Sequence, residues 1–373
     1  LIIAHSCREC QRIVKTREVC SYLARPKGIG MLCLCRLTGI HRARLPPQLI
    51  RAGKRHYSLP SKSMANKLLI DVDTGTDDAM AIMMALAAPS VEVVGITCVS
   101  GNVDVEQVCH NTMRVLHTCQ RIDVPVYKGC AQPLLGNVLR SGLYHGKDGL
   151  GDATFHDSPD LSLGNTEHAA AAMVKWANAF PGEVTLVCLA PLTNVAVAVQ
   201  LDPDLGKKLK QCIIMGGNIY AQGRVSPCAE FNFFTDADAA KCVLDRLDCP
   251  LLQVPYEICR TKGPSWEWFE EQLNRGTKKA AFVKAITAGI VERQRKRDPE
   301  YYTCDPAAMA IAIDGTIVTE SLHKYCTVEL HGHVTRGQMV VDWSGITKQR
   351  PNVELVMKVN IDKLQKLYEQ MLS

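Results

Sequence analysis

From Met64 onward the chain alternates short apolar runs with helix-like stretches, and this rhythm limits the folds open to it. The segments 67–72, 91–99, 124–128, 184–190, 211–217 and 251–256 read as strands, most of them apolar enough to be buried on both faces. Between them, 77–88, 104–118, 167–180 and 236–244 read as helices. The pattern predicts an α/β fold with an open, mostly parallel central sheet flanked by helices. A long polar helical region over 265–297 interrupts the alternation, before a helix over 305–314 and a last set of strands and helix. One domain over 64–373 is expected, and in such a sheet a ligand sits at the carboxyl ends of the strands.

Composition excludes several classes. With 47% hydrophobic and 22% charged residues the chain is neither disordered nor collagen-like. No segment reaches the roughly 18 apolar residues of a membrane-spanning helix, so no membrane partner is expected. The net charge of +5 is an average of two unlike pieces. Residues 1–63 hold 13 of the 43 basic residues against 2 of the 38 acidic ones, leaving 30 against 36 in the rest. The expected folded part is therefore acidic, which argues against a nucleic-acid partner.

The basic extension, 1–63, is expected to lie outside the fold. Between Met31 and Tyr57 it carries six basic residues and no acid, as a mitochondrial presequence does, and Arg55-His56-Tyr57-Ser58 looks like a matrix-processing site. The alternative is translated leader ahead of a start at Met64. The first reading implies a mitochondrial protein, the second a cytoplasmic one. Cys7-x-x-Cys10 and Cys33-x-Cys35 could suggest zinc, but the second gap is wrong and no histidine cluster supports it. The twelve cysteines of the body sit largely in apolar runs, as at Val187-Cys188-Leu189, and read as buried free thiols.

The first strand ends in Asp71-Val72-Asp73-Thr74-Gly75-Thr76-Asp77-Asp78. A helix start explains Asp77 by capping and dipole. It does not explain four carboxylates at one buried strand end, whose repulsion calls for a hard cation or a hydroxyl-rich ligand. An EF-hand is excluded, because its fifth and twelfth positions would be Gly75 and Ile82.

This run, Asp71–Ala79, resembles the DxDxGxDDA hallmark of the inosine–uridine nucleoside hydrolases. The likeness extends over 66–373 through Val99-Ser100-Gly101-Asn102, His145-Gly146-Lys147-Asp148-Gly149-Leu150, the LAPLTN run ending at Asn194, Met215-Gly216-Gly217, Ala229-Glu230-Phe231-Asn232 and Asp305-Pro306. The resemblance implies a Rossmann-like core and a calcium ion held by Asp73, Asp78, the Leu189 carbonyl and Asp305, all oxygen donors. It implies hydrolysis of the N-glycosidic bond of a ribonucleoside to free base and ribose, by water activated on the calcium and deprotonated by Asp73. Asp77 and Asn102 would hold the 2′/3′-hydroxyl side, Asn232 a ribose hydroxyl and Glu230 the 5′-hydroxyl, with His145 in the substrate loop. A homodimer or homotetramer is also implied.

Two positions depart from the family pattern. Cys304 stands where a histidine precedes the last metal aspartate and helps to protonate the leaving base; a thiol is a poorer partner for that step. Arg224 stands where many members have an asparagine on the 5′ side of the ribose; an arginine there could donate hydrogen bonds and favour an anionic substituent, or point to solvent and leave a hydroxyl contact missing. The basic run Arg293-Gln294-Arg295-Lys296-Arg297 reads as a solvated helix face. Two rival readings are a haloacid-dehalogenase-type phosphatase, from Asp71-x-Asp73, and a non-catalytic ribose-binding relative.

Overall fold

The computed structural model describes residues 65–373, apart from Leu143 and Ser158. The expectations for 1–63, including the presequence and its cysteines, lie outside the described residues.

The first half runs β1 (Asn66–Val72), α1 (Thr76–Ala87), β2 (Val91–Cys98), α2 (Val105–Thr118), β3 (Val126–Lys128), α3 (Ala169–Ala179), β4 (Val184–Cys188), α4 (Thr193–Leu201), α5 (Leu205–Lys208) and β5 (Gln211–Met215). It continues through α6 (Phe231–Thr235), α7 (Ala237–Arg246), β6 (Leu251–Val254), α8 (Tyr256–Thr261), α9 (Trp266–Leu273), α10 (Lys278–Arg295) and α11 (Asp305–Ile313). The chain ends with β7 (Val318–Lys324), β8 (Cys326–Val328), β9 (Met339–Val341), β10 (Val353–Val359) and α12 (Ile361–Met371).

Eight strands form one sheet in the order β3-β2-β1-β4-β5-β6-β10-β7, and β8 pairs with β9 beside it. Neighbours in the large sheet are parallel except for β7, which runs antiparallel to β10 at the edge. The chain moves outward from β1 to β3, then returns to place β4 on the other side of β1. β1 therefore borders a topological switch point, where strand ends diverge and leave a crevice. The helices form two groups, one on each face of the sheet. On one, α1 packs on α2, α11 and α12; on the other, α4 lies between α3 and α7. Covered on both sides, β1 is buried from Leu68 to Val72 and β4 along its whole length.

The structure differs from the expected elements in three places. The region 265–297 is two helices, because Gly276 (φ +76°) breaks the first and the Thr277 hydroxyl, accepting from the Ala280 N–H, starts the second. The β-branched run after Leu192 forms a helix, α4, since burial between two helices outweighs its weak propensity. Strands β4, β5 and β6 end two residues earlier than expected, and of the residues released Leu189 and Tyr256 line the crevice.

Tyr301 is held from behind by the Phe269 ring, stacked at 3.6 Å between centroids and fully buried. Phe269→Ala is expected to lower stability by about 3–5 kcal/mol in urea unfolding, because it removes a fully buried ring and leaves a cavity behind Tyr301.

Candidate active site

The carboxyl ends of β1, β2, β4 and β5, the start of α6 and the start of α11 surround one cavity of about 310 Å³. Asp73, Asp77, Asn102, His145, Leu189, Arg224, Glu230, Asn232, Cys304 and Asp305 all line it. Of the predicted site residues only Asp78 is absent from the lining; it sits beneath, fully buried.

Two of the floor carboxylates, Asp73 and Asp78, are fixed by backbone donors. The Asn102 N–H donates to Asp73 at 2.7 Å, and this contact needs Gly101, where a Cβ would stand 2.0 Å from Asp73 Oδ2. The N–H groups of Gly75 and Asp73 donate to Asp78 at 2.9 and 3.3 Å, so the third residue of α1 reaches back to cap the N–H that precedes the helix. Asp305 opens α11, where the helix dipole favours an anion. Asp71 points away: its Oδ1 accepts from Thr97 at 2.7 Å and from Asn194 at 2.9 Å, and it does not line the cavity. Asn194 also donates to the Cys98 carbonyl, so the LAPLTN run ties β4 to β1 and β2. The sequence marks that motif without showing its bracing role.

These dipoles do not cancel the charge. Burial, together with the neighbouring Asp77 and Asp71, pushes Asp73 up to about 8. Burial and the surrounding carboxylates hold Asp78 and Asp305 well above the usual range. Carboxylate oxygens of Asp77, Asp78 and Asp305 lie within 4.8 Å of one another, and one Asp77 oxygen is buried without a hydrogen-bond partner. An orphaned acceptor among convergent oxygens is the donor set of a hard cation. The residues present therefore fit a divalent metal. The tightest carboxylate group contains Asp77, whereas the resemblance names Asp73, Asp78 and Asp305 with the Leu189 carbonyl. That carbonyl accepts from Asn232 Nδ2 at 3.0 Å and keeps a second lone pair free.

The walls carry the rest. Glu230 caps α6 and accepts from the N–H groups of Gly217, Asn232 and Phe233 at 2.9, 2.8 and 3.1 Å; burial still pushes it up to about 7. His145 Nδ1 receives the Thr76 N–H at 3.2 Å, which leaves the ring proton on Nε2, and burial lowers its pKa. Contact with Cys259 and burial raise the Cys304 thiol well above its ordinary value. It therefore keeps its proton at neutral pH. Sequence reasoning missed the tyrosines: Tyr144, Tyr256, Tyr301 and Tyr302 line the cavity from three separate segments, with no spacing to link them. Thr287, Ile290 and Gln294 of α10 join them, the buried stripe of a helix whose basic side is largely solvated.

The sequence matches the family model described as inosine-uridine preferring nucleoside hydrolase over residues 68–366. The chain belongs to that family of hydrolytic enzymes. It is 32% identical over 305 residues to the inosine-uridine preferring nucleoside hydrolase of Leishmania major, covering 80% of this chain and 95% of that protein. It is 39% identical over 200 residues to a probable uridine nucleosidase 1 of Oryza sativa subsp. japonica, covering 52% of this chain and 61% of that protein. Among solved structures, an inosine-guanosine nucleoside hydrolase superposes with a TM-score of 0.76 at 33% identity, over 83% of this chain and 98% of that one. The expected fold class and family are thus both found. Among the described residues of this nucleoside hydrolase, no helix is long and apolar enough to cross a membrane.

Gly101→Ala is expected to displace the Asp73 carboxylate without unfolding the sheet. Titration calorimetry with a divalent cation should show at least about a tenfold weaker site, the scale of loss seen when a group orienting a metal site is removed; unchanged affinity would separate Asp73 from the cation.

Proposed function

We propose that the chain hydrolyses the N-glycosidic bond of ribonucleosides in a calcium-dependent reaction, releasing free base and ribose. The observation that carries this reading is the convergence of Asp73, Asp305 and the Leu189 carbonyl on one cavity at the switch point, above the buried Asp78. Asp73, Asp78, Asp305 and the Leu189 carbonyl would hold the calcium, with Asp77 able to join them. When bound, the ion supplies a Lewis acid that neutralises the floor, binds the ribose diol and makes a water easier to deprotonate.

The protein's own residues do the remaining work. Asp73, kept ionised by the bound cation, accepts the proton of the water attacking C1′. Asp77 and Asn102 hold the 2′/3′ side and Asn232 a further hydroxyl, which fixes C1′ within reach of that water. The carboxylates face a sugar that becomes cationic as the bond to the base breaks, so their charge is worth more in the transition state than before it. Cys304 offers a hydrogen bond from its thiol to the leaving base. His145, a neutral donor through Nε2, braces Thr76 at the same wall. Glu230 and Arg224 lie towards the 5′ end. A homodimer or homotetramer is proposed from the resemblance.

The phosphatase reading would make Asp71 the nucleophile, but Asp71 is fully buried, bound to Thr97 and Asn194, and outside the cavity. Base release from inosine and uridine, measured with and without chelator, tests the proposal. Activity should vanish when divalent metal is removed and return with calcium. Asp73→Asn should lower kcat by about 10²–10⁴-fold, the usual worth of a general base, with the circular dichroism unchanged. Full activity in the chelated protein would refute the mechanism.

A further inference from the structure

The floor of the cavity is acidic and its rim is basic. Four arginines stand around the tyrosines of the rim. Arg260 lies 5.7 Å from the Tyr256 ring and 5.3 Å from the Tyr302 ring, and Arg297 donates to the Tyr302 hydroxyl at 2.7 Å. Both are compensated, sharing the Asp298 carboxylate at 2.6 and 2.8 Å. Arg224 and Arg293 are not. Their guanidinium groups lie 5.2 and 5.7 Å from the single ring of Tyr144, and neither forms an ion pair among the described residues.

Arg224 is the one of the four that lines the cavity. Its N–H donates to the Ala229 carbonyl at 2.9 Å, and the Gly223 N–H to the Pro227 carbonyl at 3.1 Å, so a tight loop sets Arg224 beside Glu230. The Glu230 carboxylate is nevertheless occupied by three backbone N–H groups. It leaves the guanidinium without a counter-ion. Stacking on Tyr144 holds that guanidinium over the opening with its donors unspent.

We propose that this cavity takes ribonucleosides bearing an anionic group on the 5′ carbon, a phosphate monoester in the simplest case, with Arg224 as the residue that binds it. The inference rests on the hydrolase reading, which places the ribose diol on the floor. A 5′ anion is then directed away from Asp73, Asp77, Asp78 and Asp305, which would repel it, and towards Arg224, next to a Glu230 carboxylate whose charge is already met by three backbone N–H groups. A guanidinium presents two parallel donors to phosphate oxygens, a match that a neutral amide at this position lacks. In the reaction the bond from C1′ to the base nitrogen breaks and a bond from C1′ to the water oxygen forms. One water proton goes to Asp73 and on to solvent, while the base leaves with the bonding electrons and takes up a proton. The phosphate ester stays intact, so the products are free base and ribose 5-phosphate.

The test compares uridine with uridine 5′-monophosphate, and inosine with its 5′-monophosphate, on the full chain with calcium, reading free base and inorganic phosphate separately. The monophosphates are expected to release base without phosphate, with kcat/KM at least equal to that of the nucleosides. Arg224→Asn should lower the monophosphate-to-nucleoside ratio of kcat/KM about tenfold or more, mainly through KM, and Arg224→Lys should recover part of it. Added salt should lower the same ratio, because the guanidinium is exposed to solvent. Nucleosides cleaved while the monophosphates are neither cleaved nor competitive would overturn the inference and leave the hydrolase reading standing. A ratio unmoved by Arg224→Asn would overturn it as well. If no substrate releases base, the hydrolase reading fails. Calorimetry with uridine 5′-monophosphate then still decides: binding lost in Arg224→Asn supports the 5′-anion site, and absence of binding to the unaltered chain removes it.

Discussion

Four buried or half-buried carboxylates, Asp73, Asp77, Asp78 and Asp305, repel one another at the carboxyl edge of the sheet, and the rest of the structure is arranged around that repulsion. Gly101 leaves room for Asp73 to reach the Asn102 N–H. Gly75, whose Cβ would press on Asn102 and His145, gives its own N–H to Asp78, as does Asp73. α11 brings Asp305 in on a helix N-terminus. Donors of this kind reduce the cost of the cluster but do not remove it, since Asp73, Asp78 and Asp305 all remain above the usual carboxylate range. A site that concentrates negative charge before anything binds is suited to receive positive charge: a cation, and under the proposed function the oxocarbenium character of a breaking N-glycosidic bond.

Much of this was legible in the sequence because it is local. The strand rhythm required a parallel sheet, the sheet placed function at strand ends, and four aspartates in eight residues lay at the first such end. The cavity gathers the residues that were named from motifs, Asn102, Leu189, Glu230, Asn232 and Asp305 among them. What stayed hidden is non-local. Tyr144, Tyr256 and Tyr302 meet only after three loops have folded over the crevice, and Arg224 reaches Tyr144 across some 80 residues of chain (224 − 144). Cys259 carries no signal of its own until α8 sets it against Cys304. The helix break at Gly276 and the helical form of the run after Leu192 are tertiary decisions, made by a cap in one case and by burial in the other.

Cys304 and Arg224, the two departures from the family pattern, belong to the same half of the cavity. A thiol whose pKa is raised by Cys259 and burial gives up its proton reluctantly, so under the proposed function its help to the leaving base would take the form of hydrogen bonding. The arginine shifts the opening from neutral to cationic. The floor retains the expected oxygen donors while the rim has changed its charge, which separates how the bond is cleaved from which molecules reach it.

The central claim is that a cation completes the floor, and thermal unfolding of the metal-stripped protein across pH tests it most directly. Asp71, pushed up to about 7, and Asp73, pushed up to about 8, bind protons more tightly folded than unfolded. Their contribution to stability is thus fully present below the unfolded value of about 3.8 and is lost as pH rises through the folded values. The stripped protein should lose Tm between mildly acidic and mildly alkaline pH, and saturating calcium should raise Tm most at the alkaline end, where binding to the folded state offsets the repulsion. A Tm indifferent to calcium at every pH, in a protein that still releases base from nucleosides, would contradict the account.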